Sequence, residues 1–195
     1  MLSKSKYAKN KTWKEMYPEE VNLRHQHSIS WKPIFDKIYN DPRFSKIEKC
    51  LQEHLEIPDR PQICPKPEFV YTSFKLTPFN KIKVVFIGQD PYFDHEEYED
   101  IFVPQAMGLS FSVPCEFEIP SSLKNIYGNL QKNEHFLEYP DHGNLTSWAA
   151  QGCLMLNSAL TVIDGKYNKN CHQNLWIQGS TSCTTLLGTF KSRRS

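Results

Sequence analysis

The chain has 195 residues, of which 39% are hydrophobic and 23% charged. These values suit a folded domain with a real core and exclude a disordered polyelectrolyte. The net charge of +1 excludes nucleic-acid binding by bulk charge, so any such affinity must come from local patches. No run of about 18 apolar residues is present, and no membrane-spanning helix is expected.

In chain order, residues 1–11 carry Lys4, Lys6, Lys9 and Lys11, with Lys14 just beyond and no acid before Glu15. They read as a solvated, mobile terminus, with a phosphate-binding arm or a nuclear-import patch as the alternatives. The lack of arginine there argues against a mitochondrial presequence, so a nuclear, viral or cytoplasmic location is favoured. The six cysteines form no Cys-x-x-Cys pair, which predicts a reducing compartment and no structural zinc. Ser30-Trp31-Lys32-Pro33 predicts a helix capped by Ser30, with Ile34, Ile38 and Tyr39 at helical spacing. A second helix over 44–54 places Ile47, Leu51 and Leu55 on one face. Pro58, Pro61, Pro65 and Pro67 mark a surface loop.

The apolar run 83–87 predicts a strand buried on both faces, as in a parallel sheet. Residues 94–103 hold Asp94, Glu96, Glu97, Glu99 and Asp100 and read as a solvated acidic loop. A short strand is expected over 109–113, a helix over 121–130 and another over 146–151 that ends at Gly152. A third buried strand covers 153–156 and runs on to Leu160-Thr161-Val162. Strands alternating with helices imply an α/β layered fold. After Trp176 the sequence is small and polar, without either period.

Chemistry concentrates at Ile87-Gly88-Gln89-Asp90-Pro91-Tyr92. A buried strand delivers these residues at its carboxyl end, the edge where open α/β sheets bind ligands. Gly88 permits close backbone approach, Pro91 stiffens the turn and Asp90 supplies an acceptor-only carboxylate when ionised. Taken alone, the segment fits an Asp-Pro turn equally well.

Three further blocks follow in order: Gln105-Ala106-Met107-Gly108-Leu109-Ser110-Phe111-Ser112-Val113-Pro114, Ser121-Ser122-Leu123-Lys124-Asn125-Ile126-Tyr127, and His142-Gly143-Asn144-Leu145 with Trp148 through Val162. Together with the first, they resemble the family 1 uracil-DNA glycosylases, whose GQDPYH, QAxGLSFSVP, PSLxNIY and HGxLxxWAxQGxLLLNxxLTV blocks have the same order. The resemblance covers roughly residues 30–176. It implies an α/β/α three-layer domain on a short central parallel sheet. The expected organisation is a basic flexible segment over 1–29, the glycosylase-like domain over 30–176 and a non-family tail over 177–195.

The resemblance also implies roles. Asp90 would activate or orient the attacking water and stabilise the positive charge growing on the sugar. Phe111 would stack on an extruded uracil, Asn157 would read its Watson–Crick edge, Tyr92 would exclude the thymine methyl group and Gln89 would line the pocket. Pro120, Ser121 and Ser122 would grip DNA phosphates. His142 and Trp148 read as structural. An aromatic face with an amide edge-reader suits a base taken out of the stack. A single carboxylate suffices when the sugar becomes cationic as the base leaves. The implied protein is a monomer without metal or cofactor, acting on uracil in single- or double-stranded DNA. The alternative is a catalytically impaired, truncated relative that binds DNA weakly or not at all.

Three departures stand out. Phe93 replaces the family's histidine. Residues 94–103 form an insertion, expected to fold away from the DNA path because its charges would repel phosphate. The family continues past the counterpart of Trp176 with another strand and an HPSPLS-type loop, for which residues 177–195 give no match, so the last strand is expected to be missing.

Overall fold

The computed structural model describes residues 2–24, 27–59, 62–135, 138–165, 172 and 176. The expectations for the tail 177–195 and for a missing last strand lie outside them.

Two helices start the chain, α1 (Lys4–Ala8) and α2 (Trp13–Met16). Thr12 and Glu15 form a reciprocal capping box at the start of α2, which satisfies two otherwise unpaired amides. The lysines suggested a solvated terminus, but Tyr7, Trp13, Val21 and Leu23 are all buried. The apolar residues interleaved with the lysines anchor the segment, and Lys6, Lys9, Lys11 and Lys14 stay exposed. Trp13 donates its indole N–H to the carbonyls of Ile63 and Pro65.

A 3₁₀ turn (Ile29–Trp31) leads into α3 (Lys32–Tyr39). Ser30 lies inside this turn and is not a cap; its hydroxyl pairs with Ser28 and accepts the Phe79 N–H. Trp31 donates to the Thr77 carbonyl at 2.9 Å and meets Phe74 and Phe79 edge-on. The expected second helix is α4 (Pro42–Glu56), two residues longer at each end. Asp41 caps it and Pro42 occupies its first turn, the position where a missing N–H costs nothing. Phe44, Ile47, Leu51 and His54 form its buried stripe. The proline-marked stretch contains β1 (Ile63–Cys64), and α5 (Thr72–Leu76) follows.

The centre is a parallel pair, β2 (Val84–Gly88) with β5 (Cys153–Asn157), in a register that sets Val84 opposite Cys153 and Gly88 opposite Asn157. Side chains alternate across this pair. Val85, Leu154 and Leu156 face a core of Trp31, Phe35, Leu51 and Phe74. Phe86 and Met155 face a second core with Leu123, Tyr127 and Ala149 from α6 (Ser121–Lys132) and α7 (Thr146–Ala150). Helices thus cover both faces of the sheet. The run is buried as expected in β5, but in β2 Val84 and Ile87 are 46% and 47% exposed. Among the described residues β2 has one neighbouring strand, β5.

Residues 94–103 are not an open loop. They form a hairpin of β3 (His95–Tyr98) and β4 (Ile101–Pro104). Glu99 and Asp100, with φ of 52° and 60°, make the two-residue turn whose twist suits a hairpin. Val103 is fully buried and stands opposite Glu96 in the ladder. The hairpin packs against α1, where Lys4 pairs with Glu96. The expected strand over 109–113 is instead a turn with no ladder, because Phe111 has φ +63°, a conformation no strand accommodates. Finally β6 (Val162–Ile163) pairs antiparallel with β1.

His172 lies buried beside Thr161 and Trp176. The Trp176 indole donates to Thr161 Oγ1 at 2.7 Å, and the same hydroxyl meets His172 Nδ1 at 3.0 Å. Burial first, then the neighbouring His54, lowers the His172 pKa to about 4. An unfolded histidine titrates near 6.5. Below that pH the unfolded chain takes up a proton that the folded chain resists, so the stability present above pH 6.5 is lost as pH falls towards 4. A loss of about 3 kcal/mol is expected over this window. Urea midpoints from pH 7.5 to 4 should fall in the wild-type chain and vary less in His172→Gln.

Candidate active site

The carboxyl ends of β2 and β5 open into a cavity of about 180 Å³, lined in part by Gln89, Asp90, Tyr92, Phe111, Ser122 and Asn157. These six residues come from four separate segments of the sequence, and the fold brings them together. Pro120 and Ser121 lie at the start of α6, next to the cavity but not in its wall. A larger cavity of about 310 Å³, between α2 and the end of α4, contains none of these residues.

The floor depends on the parallel register. Gly88 and Asn157 are paired residues of β2 and β5. A Cβ on Gly88 would stand 2.3 Å from Asn157 Oδ1 and 3.1 Å from Ser110 Cβ. Glycine is therefore required for the Asn157 amide to lie across the strand end. Asn157 is 9% exposed, which presents a rigid donor and acceptor in a largely dry setting. The next residues brace the β2 loop from below. Ser158 N–H donates to Gly88 O at 3.0 Å, Ala159 N–H to Gln89 O at 3.1 Å and the Ser158 hydroxyl to Gln89 O at 2.5 Å. These bonds hold the Gln89-Asp90 backbone while Asp90 itself is half-buried.

One wall is aromatic. The Tyr92 hydroxyl pairs with Ser122 Oγ at 2.9 Å and reaches the Phe111 carbonyl at 3.4 Å. Burial raises the Tyr92 pKa and the Ser122 bond partly offsets this, so the phenol is neutral at physiological pH. The Phe111 backbone stands in the left-handed region, which costs a non-glycine residue about 1–2 kcal/mol. Such strain concentrates where a side chain must be aimed. Here Phe111 lines the cavity while Val113 stays in the core.

Ala106, Met107, Gly108 and Leu109 form a further part of the wall. The sequence motif by itself gives these residues no place in a pocket. Their small size at 106 and 108 was the available signal. Gly108, at φ +76°, lies so close to Phe69 that a Cβ would stand 1.7 Å from the Phe69 carbonyl oxygen.

At α6 the capping position is Pro120, with no side-chain cap. First-turn amides without a side-chain acceptor are a natural anion site. His142 Nδ1 accepts the Asn144 N–H, and Trp148 packs near Phe86 and Tyr127. Among the described residues, no group of three or more His, Cys, Asp or Glu is arranged to hold a metal ion, and no helix is long and apolar enough to cross a membrane.

No family model matches the chain. It is 43% identical over 132 residues to a uracil-DNA glycosylase of Helicobacter hepaticus, covering 68% of this chain and 55% of that protein. It is 41% identical over 168 residues to the uracil-DNA glycosylase of Buchnera aphidicola subsp. Acyrthosiphon pisum, covering 84% of this chain and 69% of that one. The crystal structure of mimivirus uracil-DNA glycosylase superposes with a TM-score of 0.78 at 38% identity, over 86% of this chain and 59% of that chain. The chain spans about half the length of the first curated relatives it matches.

Proposed function

The chain belongs to the uracil-DNA glycosylase family, and on that premise we propose that it hydrolyses the N-glycosidic bond of a deoxyuridine flipped out of DNA, leaving an abasic site. The observation that carries this reading is the convergence of Asp90, Tyr92, Phe111 and Asn157 on one small cavity at the strand ends.

In this reading Phe111 stacks on the extruded base. The Asn157 amide pairs with O4 and N3–H of uracil, and cytosine presents the opposite pattern. Tyr92 closes the side where thymine carries its methyl group, and Gln89 contributes the cavity rim. The Asp90 carboxylate orients water and balances the cationic sugar as the base departs as an anion. Pro120, Ser121 and Ser122 meet the DNA backbone, where the uncapped start of α6 favours a phosphate. No cofactor takes part, the protein works as a monomer, and its substrate is uracil in single- or double-stranded DNA.

The test is excision from a uracil-containing oligonucleotide, single-stranded and then duplex, by the 195-residue chain. Abasic product well above background is expected. Binding of uracil-containing DNA without cleavage would identify a catalytically impaired relative, and neither binding nor product would sink the reading.

A further inference from the structure

We propose that α1 is a strap that sets the Ala106–Gly108 wall of the cavity, with Tyr7 and Lys66 as positioning residues. The proposal rests on reading that cavity as the uracil pocket.

Tyr7 is fully buried, and its hydroxyl donates to the Ala106 carbonyl at 2.5 Å while accepting the Lys66 backbone N–H at 3.2 Å. Its ring meets Phe69 edge-on at 4.4 Å. Phe69 is the residue whose carbonyl stands against Gly108. The far end of the same wall is tied by Ser73, whose N–H donates to Gly108 O at 3.2 Å. The wall therefore hangs between two backbone anchors, and one is a side chain from the first turn of the chain.

Lys66 keeps that side chain in place. Its ammonium is buried and donates to the carbonyls of Tyr7, Ala8 and Asn10 at 3.3, 3.0 and 2.8 Å. These carbonyls lie at and just beyond the end of α1, where a positive charge is favoured. An ammonium has three donors, and here each has an acceptor. Outside, Lys4 extends the attachment to Glu96 of the hairpin, and its backbone N–H donates to Glu116 at 2.8 Å. Neither Tyr7 nor Lys66 lines the cavity. They act through Ala106, which does.

The mobility of the wall follows from this. With the Tyr7 oxygen removed, Ala106 O is a buried acceptor without its partner, and the wall gains freedom on the side facing the base. Tyr7→Phe and Lys66→Met in the full chain test this by two readouts. Hydrogen exchange of the peptide spanning 105–113 should quicken about tenfold in both variants, with α4 unchanged. Free uracil, titrated and followed by protein resonances, should bind about tenfold more weakly.

Unchanged exchange would overturn the proposal. So would faster exchange with unchanged uracil affinity, which would make the strap purely structural. If Lys66→Met fails to fold, Tyr7→Phe, which removes one oxygen, still decides. Failure of the wild-type chain to bind uracil would count against the uracil reading alone, and the exchange result would still decide the strap.

Discussion

Asp90→Asn is expected to lower uracil excision by about 10²–10³-fold, the usual effect of removing one preorganised charge-stabilising group. The substitution keeps the size and planarity of the side chain, so the loop can retain its shape. Its backbone is held independently by Ser158 and Ala159, which bind the Gly88 and Gln89 carbonyls. What disappears is the negative charge. In a dissociative reaction the sugar becomes cationic before water adds, and a neutral amide offers only a dipole in compensation. The loss should therefore fall on the chemical step, with uracil affinity changed by less than about threefold. Single-turnover kinetics on a uracil oligonucleotide, together with the uracil dissociation constant, measure both quantities. A fall in rate of less than tenfold would remove Asp90 from the role proposed for it.

Gly108→Ala should cost about 4 kcal/mol or more of stability, in the range reached only by severe backbone or core damage. Part of the cost is conformational, since φ +76° is a left-handed geometry disfavoured for alanine by about 1–2 kcal/mol. The larger part is steric. The new methyl group would lie 1.7 Å from the Phe69 carbonyl oxygen and 2.8 Å from Thr72 Oγ1. A backbone oxygen cannot rotate aside as the end of a long side chain can. This one also accepts the Thr72 hydroxyl at 2.8 Å. Relief therefore requires α5 and the cavity wall to part, which breaks the Ser73–Gly108 hydrogen bond. Urea denaturation gives the result directly. A loss below about 1 kcal/mol would contradict the close packing of these two segments.

Local signals in the sequence marked the elements that carry the site, and the ordered resemblance of the four blocks supplied the residues. The apolar run before Gly88 marked a strand, and its ending in Gly-Gln-Asp-Pro-Tyr marked a ligand-facing edge. The stripe Phe44, Ile47, Leu51 marked α4. Cys153 to Leu156 had the composition of a buried strand, and β5 is one. Asn157 by itself read equally well as a buried turn residue, and only the resemblance pointed it to a pocket.

Other features had no local signal. The lysines of residues 1–14 outweighed the single Tyr7 and Trp13, although those two residues carry the burial. The acidic residues of 94–103 hid an alternation of inner and outer side chains that makes a hairpin. Composition registers charge, whereas burial depends on what packs against the few apolar residues between the charges.

What the sequence determined by itself is therefore the set of chemical groups and the elements that carry them: a carboxylate, an amide and two aromatics at the ends of strands and turns. What only the tertiary structure decided is how they meet. The parallel register brings Asn157 over Gly88, Phe111 with its left-handed backbone lines the cavity, and the Tyr7 hydroxyl reaches the Ala106 carbonyl far along the chain. Hydrophobic periodicity acts over a few residues and encodes which face is buried. A hydrogen bond between distant segments leaves no periodic trace, because its geometry exists only once both segments have packed on the same core.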